Sequence, residues 1–123
     1  METEKKGELA IKVVAMPADT NPSGDIFGGW IISQMDIAGS VFCRKIIKDR
    51  VVTIAINSMI FKQPVFIGDT VCCYVNHVKT GNTSMTVHIE AWANRELDDE
   101  NIKVTEGDFT YVKINNKREP QTI

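Results

Sequence analysis

The chain has 123 residues, of which 43% are apolar and 24% charged, with a net charge of -2 and a pI near 5.6. That is one domain with a modest core. Its scattered Lys and Arg residues lack the basic excess that a nucleic-acid face needs, so nucleic acid is not an expected partner.

Met1 to Lys6 is charged and no apolar stretch of signal-peptide length follows. The cysteines Cys43, Cys72 and Cys73 cannot build a disulfide framework, because neighbours on a strand face opposite ways. A reducing cytoplasm is the expected compartment. Three cysteines and two histidines at these spacings match no zinc pattern, so neither a metal nor a cofactor is expected.

In chain order, residues 1–8 read as a frayed start and Leu9 to Met16 as a first strand. Pro17 to Phe27 is a loop dense in Asn, Pro, Ser, Gly and Asp. Gly28 to about Lys48 is a helix, with Arg44, Lys45 and Lys48 where the macrodipole favours cations. Val51 to Phe61 is a strand rich in Val, Ile and Thr. Gln63-Pro64 and Gly68-Asp69 separate it from a strand at Thr70 to Lys79, and Thr80-Gly81-Asn82 is a hairpin turn. Thr83 to Asn94 alternates, with Met85, Val87, Ile89 and Ala91 on one face and Thr86, His88, Glu90 and Trp92 on the other. A charged turn at Glu96 to Asn101 leads to a fifth strand, Lys103 to Ile114, and then a flexible polar tail, 115–123. One strand, one helix and four closely linked strands make an α+β domain over residues 1–123.

The helix has almost no polar face. Trp30, Ile31, Ile32, Met35, Ile37, Ala38, Val41, Phe42, Cys43, Ile46 and Ile47 surround its axis, so it should be buried on every side. It is too short and interrupted to span a membrane. One sheet cannot cover all of it, and a second copy of the chain is the economical cover for the rest.

Asp36 interrupts this run without a cationic neighbour in sequence. A carboxylate placed there is either turned to solvent or put to use. Ser40 lies one turn on and can either reach Asp36 or bond its own backbone. Gly28-Gly29 is either a tight helix start or a source of bare N–H groups for an anion or oxyanion. Asn21, Asp19 and Asp25 read as turn or cap residues. His77 and His88 read as structural strand histidines, and Trp30 and Trp92 as core or interface. Gly28 and Asp36 are eight positions apart, about 12 Å along one helix. If both act on one bond, their site is shared between two antiparallel helices of a dimer.

Met16-Pro17-Ala18-Asp19-Thr20-Asn21, Gly24-Asp25-Ile26-Phe27-Gly28-Gly29-Trp30 and Ser33-Gln34-Met35-Asp36 closely resemble the YciA-type acyl-CoA thioesterases of the hotdog-fold superfamily. The resemblance continues through Arg50-Val51-Val52-Thr53, Pro64-Val65, Gly68-Asp69, Val71-Cys72-Cys73-Tyr74 and Thr83-Ser84, nearly the whole chain. It implies a hotdog fold, in which a five-stranded antiparallel sheet wraps a long central helix. It implies hydrolysis of acyl-CoA to a free acid and CoA, by a dimer within a trimer of dimers. Matched by position, it makes Asp36 the catalytic carboxylate, Asn21 its polar loop partner and the Gly28 amide the oxyanion donor. Ser40 matches a position where related enzymes use a hydroxyl. Phe27 departs from the His-Gly-Gly form of some relatives, so no loop histidine serves here.

On that reading CoA is part of the substrate, and Lys62, Lys79, Gly81, Asn82, Thr83 and Ser84 are candidates for its phosphates. Two rival readings are an acyl-thioester hydratase or dehydratase, which wants a His–acid pair, and a non-catalytic acyl-CoA-binding module.

Overall fold

The computed structural model describes residues 6–123. Strand β1 (Glu8–Val14) precedes helix α1 (Gly28–Ile47), and β2 (Val51–Asn57), β3 (Thr70–Thr80), β4 (Ser84–Arg95) and β5 (Glu100–Lys113) follow. They form one sheet in the order β1-β3-β4-β5-β2, with every neighbouring pair antiparallel. The chain crosses the sheet through α1, from β1 at one edge to β2 at the other. This is the expected architecture of one helix and five antiparallel strands.

Strand alternation decides which sheet face receives the helix. Met85, Val87, Ile89, Ala91 and Ala93 of β4 are buried with Val71, Cys73 and Val75 of β3 and Phe109 and Tyr111 of β5. Ile31, Met35, Ala38, Phe42 and Cys43 of α1 meet them. At Gly39 the helix lies close over Tyr111 of β5 and Ile89 of β4. A Cβ there would lie 2.2 Å from the Tyr111 hydroxyl, so only glycine fits.

The helix is not buried on every side within one chain. Ile37, Val41 and Ile46 stay exposed, and so do Ile54 and Ile56 of edge strand β2. The sheet covers one flank of α1 only, and an apolar surface runs from its open flank to the β2 edge.

Other expectations shift. The strand at Val51–Phe61 ends at Asn57, because Ser58 takes a left-handed conformation with φ 52°. The charged turn at 96–101 is a short 3-10 turn at Glu96–Asp98, and β5 starts earlier than expected, at Glu100. Of the expected frayed start, residues 1–5 lie outside the described residues, and Glu8 already belongs to β1. The tail 115–123 folds back and does not trail away. The Asn115 side-chain carbonyl accepts from the Lys117 and Glu119 amides, the Gln121 amide donates to the Lys113 carbonyl, and the Ile123 amide donates to the Asn82 carbonyl. Among the described residues, no helix is long and apolar enough to cross a membrane.

Candidate active site

The loop before α1 is tied into one shape by its own hydrogen bonds. The Asp19 side chain accepts from the Met16 amide at 3.1 Å, as its reading as a turn residue implies. The Asn21 side-chain oxygen accepts from the Ser23 and Asp25 amides at 2.9 and 3.1 Å. Its Nδ2 group is what Asn21 can still offer a ligand. The Ile26 amide donates to the Val65 carbonyl, and the Phe27 amide to the Asp19 carbonyl. Phe61, from the same long loop as Val65, lays its ring on Gly28.

These contacts fix where α1 begins. Its N-cap, Phe27, supplies no side-chain cap, and the first turn holds no acidic residue. The Phe27 carbonyl takes the Trp30 and Ile31 amides. The Gly28 and Gly29 amides find no acceptor among the described residues. The positive end of the helix dipole is therefore uncompensated, with bare donors at its tip.

Asp36 lies two turns on, half-buried on the flank beside β2 and β5. Its Oδ1 accepts from the Thr53 hydroxyl at 2.6 Å and the Tyr111 hydroxyl at 3.0 Å. Tyr111 also lies 2.8 Å from the Asp36 main-chain carbonyl, so its single proton is shared between two oxygens of one residue. Tyr111 is fully buried. Burial, reinforced by the Asp36 charge, drives its pKa far up, and the phenol stays protonated as a donor. One carboxylate oxygen is thus held from two strands, leaving Oδ2 for chemistry.

Ser40 does not join Asp36. Its hydroxyl donates to the Ile37 carbonyl at 3.0 Å, the backbone-bonded alternative. The hydroxyls on the carboxylate come instead from Thr53 and Tyr111. Sequence reasoning missed both as site residues, and the one available signal was a polar residue at each position among apolar strand neighbours.

The proposed CoA contacts are not brought together within one chain. The Lys62 amide donates to the Val104 carbonyl, level with Ala91 and Trp92 on β4, whereas Lys79 pairs with Thr86. That separation of five strand residues is about 17 Å. The Lys62 ammonium is engaged by Glu106 at 3.3 Å. Gly81, Asn82, Thr83 and Ser84 form the hairpin, but the Asn82 and Thr83 carbonyls hold the Ile123 and Lys113 amides.

The histidines are structural, in different ways. His77 shares a hydrogen bond with Thr80 at 2.8 Å. His88 has acidic partners that its sequence neighbours only hint at. Its Nδ1 lies 2.7 Å from Asp108 and its Nε2 2.9 Å from Glu106. Burial lowers its pKa, but the bonds to Asp108 and Glu106 outweigh that and raise it overall. It occupies the sheet face opposite α1. Of the described residues, His88, Glu90 and Glu106 alone could converge on a metal, within 4.8 Å. Lys103 already stands 3.7 Å from Glu90 and 3.5 Å from Glu106, so the carboxylates are neutralised without one. The buried Cys43 and Cys73 thiols are pushed up to about 12 by desolvation, which makes them core residues, not nucleophiles.

The thioesterase superfamily profile matches residues 23–98, which span the end of the loop, α1 and the strands through the whole of β4. The acyl-CoA thioester hydrolase YciA of Salmonella typhimurium is 43% identical, over 100% of this chain and 95% of its own. That of Escherichia coli is 42% identical, over 96% and 92%. A hexameric thioesterase structure from Yersinia pestis superposes with a TM-score of 0.93 at 44% identity, covering 98% of each chain. A hexameric hotdog-fold thioesterase of Campylobacter jejuni superposes at 0.89 and 46%, covering 95% of this chain and 90% of that one. The chain belongs to the thioesterase superfamily and has the hotdog fold.

Proposed function

We propose that the protein is an acyl-CoA thioester hydrolase that works as a homo-oligomer, with each active site shared by two protomers. The observation that carries this reading is Asp36, a carboxylate held through Oδ1 by Thr53 and Tyr111 on the helix flank its own sheet leaves open. Similar solved thioesterases are hexameric, and a trimer of dimers is the assembly proposed here.

A dimer supplies what one chain lacks. With the two α1 helices antiparallel along their open flanks, Gly28 of one lies beside Asp36 of the other. The substrate's thioester carbonyl accepts from the Gly28 N–H at the positive helix end. One such donor is worth about 3 kcal/mol to the developing oxyanion. The partner's carboxylate takes a proton from water as the water oxygen attacks the carbonyl carbon. Alternatively it attacks through Oδ2 itself, giving a mixed anhydride that water then opens. In either route the carbon–sulfur bond breaks and CoA leaves as thiolate, to be protonated. Asn21 orients the substrate or water through Nδ2. The reading uses no cofactor beyond the CoA of the substrate.

The hydratase reading is weaker, because the available His–acid pair, His88 with Asp108, lies on the sheet face away from α1. A binding module would not need a carboxylate anchored on one oxygen only. Purified Asp36→Asn tests the proposal. Its kcat should fall at least about 100-fold with assembly intact, the scale of a lost general base. Wild-type kcat in that variant would remove Asp36 from the reaction.

A further inference from the structure

Residues 58–69 link β2 to β3 without a helix or strand of their own, a long structureless connection for a compact domain. The segment meets the start of α1 at two points. Phe61 lays its ring on Gly28, and the Val65 carbonyl accepts from the Ile26 amide at 3.0 Å. Each point is held by a side chain from the sheet. The buried Thr105 hydroxyl donates to the Ile60 carbonyl at 2.8 Å, one residue before Phe61. Arg95 Nη2 donates to the Pro64 carbonyl at 2.9 Å, one residue before Val65. On the other side of Val65, the Phe66 amide donates to Asp69 Oδ2 at 2.9 Å.

Arg95 and Asp69 are themselves joined. Thr70 pairs with Asn94, so Asp69 and Arg95 face each other one step beyond that pair, where β3 begins and β4 ends. Arg95 Nε lies 3.1 Å from Oδ2 and 3.3 Å from Oδ1 of Asp69. Its guanidinium carbon stands 4.6 Å from the centre of the Phe66 ring, and Nη1 lies 3.4 Å from Glu100. The two side chains are only 14% and 6% exposed. Taking a charge pair out of water contributes little stability by itself, because desolvation offsets the attraction. What an arginine fork adds is fixed direction. One guanidinium holds Asp69 and the Pro64 carbonyl together, while Asp69 holds the Phe66 amide. The backbone is thus clamped on both sides of Val65, whose carbonyl binds Ile26, two residues before Gly28. We propose that Arg95 and Asp69 are positioning residues for the hydrolysis, which set the Gly28 N–H through Val65 and Ile26 without touching substrate. The proposal rests on the Gly28 amide serving as the oxyanion donor. It gives a part in the reaction to a charge pair outside the loop and helix that carry Asn21, Gly28 and Asp36.

The test is a double-mutant cycle on the full-length protein, run well below the unfolding temperature of each variant. Arg95→Lys keeps the charge beside Asp69 but loses the fork that also holds the Pro64 carbonyl. It should lower kcat about tenfold and leave KM for butyryl-CoA nearly unchanged, because the misplaced donor acts in the transition state. In a Gly28→Pro background the donor is already gone, and the same substitution should change kcat less than about twofold. A merely structural role would lower kcat equally in both backgrounds. That result, or an unchanged kcat in the wild-type background, overturns the proposal. Should Arg95→Lys fail to assemble, Asp69→Asn takes its place in the cycle with the same expected outcomes. It keeps the size of the side chain and removes the charge that holds the guanidinium. Failure of the Gly28 reading shows separately, as full kcat in Gly28→Pro alone.

Discussion

The Tyr111 hydroxyl lies 3.0 Å from Oδ1 of Asp36, joining two residues 75 positions apart. The phenol comes from the middle of the core and the carboxylate from the open flank of the helix. Gly39 makes the pairing possible, since any side chain there would meet the hydroxyl. The carboxylate is thereby aimed as well as placed.

Tyr111→Phe should lower kcat about tenfold and leave KM for acyl-CoA nearly unchanged, because Tyr111 is a positioning residue that does not reach substrate. Steady-state kinetics at saturating and limiting substrate check this. A change in KM alone would show that the hydroxyl serves binding instead.

Gly39→Ala should cost about 1–3 kcal/mol of stability, the usual penalty for overpacking a close approach. Its kcat should fall too, as Tyr111 is pushed from Asp36. Thermal unfolding and kcat measured on one preparation test the coupling, and a Tm loss with unaltered kcat would break it.

Much of this site can be read from the sequence. The loop, the helix start at Gly28 and the intrusive carboxylate at Asp36 are local patterns in adjacent residues. What holds Asp36 is not local. Thr53 and Tyr111 reach it from the two paired strands β2 and β5, and pairing register cannot be read from either strand alone. Ser40 was the hydroxyl visible by helical spacing, yet its own backbone satisfies it. The end of the strand at Asn57 was hidden for a related reason. Met59, Ile60 and Phe61 continue the apolar run past it, and a single left-handed residue, Ser58, ends the strand.

His88→Gln should leave kcat unchanged, because His88 sits on the sheet face away from the carboxylate. Its effect should be on stability, with a defined pH dependence. The folded-state pKa is raised above the ordinary histidine value of about 6.5, so protonation of His88 favours the fold. That contribution is complete below the unfolded pKa and disappears as pH rises through the folded one. Glu106, whose pKa is lowered from 4.5, loses its own contribution as pH falls. The Tm difference between wild type and variant should therefore be larger near pH 6 than at pH 9. A difference that grows toward pH 9 would contradict this assignment.

The central claim is that Gly28 of one protomer and Asp36 of its partner serve the same bond, and subunit mixing tests it most directly. Gly28→Pro removes the donor N–H at the first helical position, where proline is tolerated. Phe27, with φ −55° and ψ 135°, already has the conformation a following proline requires. Each of Gly28→Pro and Asp36→Asn should be nearly inactive as a homo-oligomer, once shown to fold and dimerise. A mixed dimer has one site with both lesions and one with neither. Activity should return on subunit exchange, up to about half of wild type per heterodimer by site counting. Heterodimers that form and stay as inactive as their parents would contradict the shared site.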